Sequence, residues 1–316
     1  MPSYRTELAP TRLSRAIDIG ESILLVGSCF TEHIGSWLQE HFLPATVNPW
    51  GVLFNPASIA QSLERASGTT DYAPEFIEHK GVFCSLDHHG QFNGTSSADV
   101  TATILKAESL AREALQKAQH IFVTWGTAWV FEHKGKVVAN CHKLPATWFQ
   151  RRRLSVEEIV EMWERLLHND ACREKHFIFT VSPIRHLADG LHGNQLSKST
   201  LLLAIDELQR KFPQQVDYLP AYELLMDDLR DYRFYAEDMV HPSPIAIQAV
   251  REMVRSAVFT PKLQAFMEEA DQVVRDLNHR PSNPESEEYK AFLAKALKKK
   301  EELLNIGKIN GTERIP

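Results

Sequence analysis

The stretch ILLVGSCFTEHIGSWL, residues 23–38, decides both the fold and the functional question. An aliphatic run from Ile23 to Val26 ends in Gly27-Ser28. Phe30, Ile34, Trp37, Leu38 and Phe42 then recur at helical spacing. Ser28 therefore stands where a buried strand becomes a helix. Two readings follow. In one, Ser28 or Thr31 caps the helix by accepting from its first unpaired amides. In the other, Gly27 permits a tight turn that holds the Ser28 hydroxyl above the carboxyl end of the strand, where open α/β sheets bind their ligands.

Working outward, other apolar, β-rich runs end in polar or Gly/Pro-marked loops: HIFVTWG at 120–126, HFIFTVSP at 176–183 and VDYLP at 216–220, with a weaker one, LPATVN, at 43–48. Such runs read as buried parallel strands. Helical patterns at 29–42, 56–66, 99–118, 155–168 and 196–211 lie between them, the alternation of a doubly wound sheet. Two inserts, at 81–94 and 129–140, read as β-hairpins, the second turning at Lys134-Gly135, and are expected to wall a pocket. Ser243 and Pro244 have the cap and first-position pattern of a helix start, which leaves Asp238 to His241 in the loop before it. A helix at 262–278, a Pro/Asn/Ser-rich linker and a Lys/Glu/Leu/Ala-rich helix near 286–305 complete the chain. The expected division is a catalytic domain, 1–262, and a helical extension, 263–316.

At 316 residues and 43% hydrophobic composition the chain can bury its own core without disulfides or metals. Its net charge of -6 argues against a general nucleic-acid binder. The basic runs Arg151 to Arg153 and Lys298 to Lys300 are expected on solvated helix faces or ends. The start, MPSYRTELAP, has no apolar leader core, and no later run approaches the ~18 apolar residues of a span. The expectation is a cytoplasmic protein with no membrane partner. Cys29, Cys84, Cys141 and Cys172 form no C-x-x-C pair, and neither His88-His89 nor Cys141-His142 has zinc-site spacing, so no metal is expected.

Ser28, then Asp238 and His241 three positions apart on one late loop, are the residue types and order that acyl chemistry requires. A serine hydroxyl is a poor nucleophile until an imidazole takes its proton, and the imidazole needs an acceptor to fix its tautomer. Arg185 and His186 follow a strand end, where Arg185 would hold an anionic or sugar substrate. Trp50, Trp125 and Trp129 would offer faces to sugar rings or pack in the core.

The sequence resembles the GSCFA family, a branch of the SGNH or GDSL-like hydrolases. The resemblance is carried by GSCFT at 27–31, NPWGVLFNPASI at 48–59, FVTWGTAWVFE at 122–132, VANCHK at 138–143, VSPIRHLADG at 181–190, QLSKSTL at 195–201 and YAEDMVHPSP at 235–244. It implies a flavodoxin-like α/β/α sandwich with about five mostly parallel strands. It also implies a Ser28, His241, Asp238 triad and an oxyanion hole built from the Ser28 and Gly51 amides. The superfamily's G-x-N-D block falls on GTAW at 126–129, so its asparagine is missing, and Thr127, Asn140 or His142 is expected to fill its place. The implied activity is that of an esterase or acyltransferase on an O-acylated small-molecule or carbohydrate substrate, with no cofactor. The alternatives are a binding module that has lost turnover and an interaction scaffold that uses the last helix.

Overall fold

Ile23 and Leu25 point to one side of the first strand and Leu24 and Val26 to the other, and all four are buried, so this strand needs cover on both faces. The computed structural model, which describes residues 6–68 and 72–308, provides it. Residues 1–5 and 309–316, the outer ends of the two expected segments, lie outside the described residues. The central strands are β1 (Ile23–Gly27), β2 (Ala45–Val47), β5 (His120–Trp125), β9 (His176–Val181) and β10 (Val216–Tyr218). They form one parallel sheet in the order β2-β1-β5-β9-β10. Counted among themselves these strands run 2-1-3-4-5, the flavodoxin-like order, with its switch point between β1 and β5.

Helices α2 (Pro56–Ala66), α3 (Ser97–Lys117), α4 (Val156–His168) and α5 (Gly190–Lys211) cover the face that carries Leu24, Val26, Ile121, Val123, Trp125 and Phe179. The opposite face carries Ile23, Leu25, Phe122 and Ile178. It is covered by α1 (Cys29–Glu40), a short α6 (Ala221–Glu223) that runs into a π turn, α7 (Pro244–Val258) and α8 (Pro261–Leu277). The result is a three-layer α/β/α sandwich. Leu263, Phe266 and Met267 of α8 are buried in the same core as α1, so packing is continuous across 262/263. The last helix, α9 (Glu287–Lys308), buries Leu303 in that core and joins α8 through Lys299 and Glu269 at 2.8 Å.

Three expectations change. The first hairpin lies earlier than 81–94: β3 (Ile77–His79) pairs with β4 (Val82–Cys84) around Lys80 and Gly81, and Gly94 returns to Phe83 only as a single bridge. The second hairpin, β6 (Trp129–His133) with β7 (Lys136–Val138), gains a third strand, β8 (Gln150–Arg153). The Arg151 to Arg153 run is therefore a strand rather than a helix face. Glu132 and Glu158 neutralise Arg152, while Arg151 bonds Asp189 and lies over Trp129. Finally, α5 begins at Gly190 and not at 196, and its buried stripe starts upstream of 196 at the polar Asn194.

The amino ends of the strands are held by a buried polar chain. His120 and His176 are register partners with their Nδ1 atoms 3.0 Å apart, room for a single shared hydrogen. His120 Nε2 donates to Glu21 at 3.0 Å and His176 Nε2 to Asp217 at 2.8 Å. Asp217 also accepts from the Ser14 amide and hydroxyl at 2.7 Å each. Burial opposes the Glu21 carboxylate, but the His120 N–H, the Asp18 contact and Arg15 outweigh it and hold its pKa at about 2, below the usual 4.5. A carboxyl lowered in the folded state contributes stability above its unfolded value and loses it as pH falls through the folded one. Stability, followed by denaturant unfolding, is expected to fall between about pH 4.5 and 2, and Glu21→Gln should flatten that fall. At neutral pH, Asp217→Asn should cost about 1–3 kcal/mol, since three donors lose a charged acceptor.

Candidate active site at the switch point

Gly27 has φ +143°, and a Cβ there would lie 2.3 Å from the Thr124 carbonyl oxygen. Only glycine lets β1 and β5 approach this closely at the point where the chain leaves the sheet. Ser28 follows in extended conformation at the N-cap of α1, but its side chain makes no capping hydrogen bond. Its Oγ is buried and, like the Thr31 hydroxyl, has no hydrogen-bond partner among the described residues. The capping reading therefore fails for both residues.

The Gly27 amide donates to Asn48 Oδ1 at 2.9 Å, and Asn48 itself has φ +42° just beyond β2. An amide N–H requires an oxygen opposite it, so Nδ2 is the free end of that side chain, and it too is buried without a partner. Gly27, Thr124 and Thr180 stand side by side on β1, β5 and β9, and both threonine hydroxyls are buried and unpartnered. Buried polar atoms are nearly always satisfied, so a row of exceptions at one end of a sheet makes that end the candidate site.

On the late loop, His241 Nδ1 lies 2.6 Å from Asp238 Oδ2, and Asp238 Oδ1 accepts from the His241 and Val240 amides at 2.9 Å each. Those amides and the imidazole hold the Asp238 carboxyl at about 2. The orientation leaves His241 Nε2 free as an acceptor. Burial, and after it the Arg251 guanidinium, lowers the pKa of His33 on α1. Both side chains are about half exposed (His241 49%, Asp238 50%), and among the described residues no hydrogen bond joins His241 to Ser28.

Sequence reasoning quoted QLSKSTL without singling out Lys198. Its ammonium is fully buried and donates to the Gly126 and Ser182 carbonyls at 2.6 Å each, tying the carboxyl ends of β5 and β9 together. Burial pushes its pKa down to about 7, and the nearby Cys29 acts weakly in the opposite sense. Burial, with Lys198 adding to it, lowers His186 to about 4, so that ring is neutral. Cys29, beside Ser28, is half-buried and its thiol is pushed up by burial. The signal for Lys198 was available: Asn194, Ser197, Lys198, Leu201, Ile205 and Leu208 share one helical stripe.

Other expected site residues are placed differently. The Gly51 amide, expected to face an oxyanion, donates at 2.7 Å to the Asn48 carbonyl, closing the turn after β2. The Thr127 amide donates to Phe54 O at 3.0 Å, and its hydroxyl pairs with Ser197 at 3.0 Å. Asn140 Oδ1 accepts from the His142 amide at 2.8 Å, and His142 Nε2 donates to the Ser85 carbonyl at 2.7 Å. Neither Asn140 nor His142 bonds Ser28. They belong to a wall in which the β6–β7 insert meets the 85–89 loop, and His89 of that loop lies against Gly51. Trp50 is fully buried in the core on the α2 to α5 side, so it cannot stack on a substrate; the turn from Asn48 to Gly51 directs it inward. Arg185 is half-buried on the rim of a cavity beside Tyr232 and Tyr235. His88 bonds Ser85 and Glu108, and among the described residues no three His, Cys, Asp or Glu side chains lie close enough to hold a metal. No helix among them is long and apolar enough to cross a membrane.

Because the Lys198 pKa falls from 10.5 to about 7 on folding, the unfolded chain binds more protons across that window, and stability rises with pH there. Denaturant unfolding from pH 7 to 9 should show this rise in the wild type, with a slope of up to ~1.4 kcal/mol per pH unit. Lys198→Met should abolish it.

No curated protein matches the chain. A family model described as the GSCFA family matches residues 22–253, and one described as the GSCFA domain protein C-terminal domain matches 270–310. The first match runs from the residue before β1 into α7 and takes in Ser28, Asn48, Lys198 and the Asp238 to His241 loop. The chain belongs to the GSCFA family.

Proposed function

We propose that the protein is a serine-dependent ester hydrolase or acyltransferase of the SGNH or GDSL-like kind, with Ser28 as nucleophile. The observation that carries this reading is the buried Ser28 Oγ at the switch point, at an N-cap yet free of any capping bond. Among the described residues no hydrogen bond uses that hydroxyl.

In this mechanism His241 Nε2 takes the Ser28 proton while Asp238 holds Nδ1–H and stabilises the imidazolium. Ser28 Oγ attacks the ester carbonyl, and charge develops on the carbonyl oxygen. Asn48 Nδ2 is the donor placed for that oxygen, since its other end is fixed on the Gly27 amide. The Ser28 amide, held only at 3.3 Å by Thr124 O, is the second. His241 then protonates the departing alkoxide, and water or an acceptor hydroxyl releases the acyl group from Ser28. The open Ser28 to His241 gap is compatible with this scheme, because catalytic hydrogen bonds are often loose until substrate is bound. The scheme draws on protein groups alone.

A second reading, a binding module with little turnover, is favoured by the commitment of the Gly51 and Thr127 amides to backbone carbonyls. Labelling with a fluorophosphonate, read by intact mass, separates the two. A single adduct is expected on the wild type and none on Ser28→Ala or His241→Ala; a folded wild type that takes no label would exclude the serine mechanism. If turnover is found, Asn48→Ala should lower kcat by ~10²–10³-fold, the usual cost of one oxyanion donor.

A further inference from the structure

A cavity of about 560 Å³ opens beside the late loop, lined by Arg185, Gln195, Tyr222, Arg230, Tyr232 and Tyr235 among others. Arg185 dominates it. The guanidinium carbon lies 4.7 Å from the Tyr235 ring centre and 5.7 Å from that of Tyr232, and Nη2 donates to the Tyr235 hydroxyl at 3.0 Å. Among the described residues it has no carboxylate within ion-pair distance, and neither has Arg230 on the rim. Of the two acidic residues at the rim, Asp231 is held by Arg233 at 3.1 Å, which leaves Asp227 against the two arginines. Tyr222 donates to Gln195 Oε1 at 2.9 Å, so the Gln195 amide hydrogens remain available.

A guanidinium stacked on aromatic rings keeps its N–H edge free, and that edge matches a carboxylate or phosphate in two-point geometry. A half-buried arginine with one hydrogen bond, five donors and no counter-ion is therefore arranged for an anion that arrives with a ligand. The position relative to Ser28 follows from the sheet. β9 is two strands from β1, and strands are spaced ~4.8 Å apart, so Thr180 stands ~10 Å from Gly27 along the row through Thr124, and Arg185 follows the end of β9 by four residues.

We infer that this cavity binds an anionic group, carboxylate or phosphate, carried by the substrate several bonds from the carbonyl that Ser28 attacks, with Arg185 as the principal contact. The inference rests on the serine reading for its connection to catalysis, but its test does not. The full-length protein is titrated calorimetrically with succinate, inorganic phosphate and uncharged succinamide, using wild type, Arg185→Gln, Tyr232→Ala and Ser28→Ala. Tyr232 is an exposed side chain, so that variant keeps the fold. Saturable binding of succinate or phosphate, but not succinamide, is expected, and whichever anion saturates names the group. Arg185→Gln should weaken it at least about tenfold, Tyr232→Ala several-fold, and Ser28→Ala not at all. If neither anion saturates, if succinamide binds equally well, or if both cavity variants bind like wild type, the inference is overturned. Anion binding without fluorophosphonate labelling would reject the serine mechanism and keep the cavity; labelling without anion binding would do the reverse.

Discussion

The contact between Gly27 and the Thr124 carbonyl is the constraint from which the functional end of the molecule follows. With no room for a Cβ, β1 stays against β5 to its last residue, and the chain turns into α1 at a fixed point. The same residue's amide then fastens Asn48, and Asn48 sets the turn that places Gly51 and sends Trp50 into the core. One glycine thus organises the β1 and β2 ends together. A side chain at that position would separate the strands and, with them, Ser28 from the amide beside it.

On the other side of the switch point the corresponding fastening is electrostatic. Lys198 reaches from α5 to the carbonyls that end β5 and β9, and among the described residues no carboxylate pairs with it. Burying an ammonium in this way is costly, and two carbonyl dipoles compensate only in part, which is why its proton is held weakly. A hydrophobic residue would tie nothing, and a lysine and glutamate pair would cancel the field. The arrangement places a buried, titratable amine behind the ends of β5 and β9, while the neutral His186 adds no charge.

The strands were legible because each is a short, mainly apolar run whose companions alternate with amphipathic helices, and their order was expected from the family resemblance. The strand-end position of Ser28 and the Asp238 to His241 contact were legible because Ser28 ends such a run and Asp238 and His241 share one short loop. What escaped had a common cause: sequence gives position along the chain but not direction. Trp50 adjoins the site in sequence yet points into the core. The arginines at 151–153 read as a solvated run until Trp129 and Glu132 are seen beside them across the strands. Asn48 and Lys198 were overlooked because each is a polar residue inside a stretch read for its apolar pattern, and only burial shows that they are the exceptions.

The two ends of the sheet share a construction and differ in how it is completed. On the face covered by α1 and α7, the row nearest the amino ends is His120 and His176, the middle row is apolar, with Leu25, Phe122 and Ile178, and the row nearest the carboxyl ends is Gly27, Thr124 and Thr180. Both outer rows are polar and buried. The amino-end row is satisfied by Glu21, Asp217 and Ser14, so its polarity contributes to stability. Among the described residues the carboxyl-end row has Ser28, Thr124, Thr180 and one end of Asn48 without a partner, so its polarity costs stability as long as the chain is alone. A fold that satisfies one row so fully had the means to satisfy the other. That it leaves hydroxyls and an amide open at the switch point, where open α/β sheets take their ligands, makes this end the candidate site.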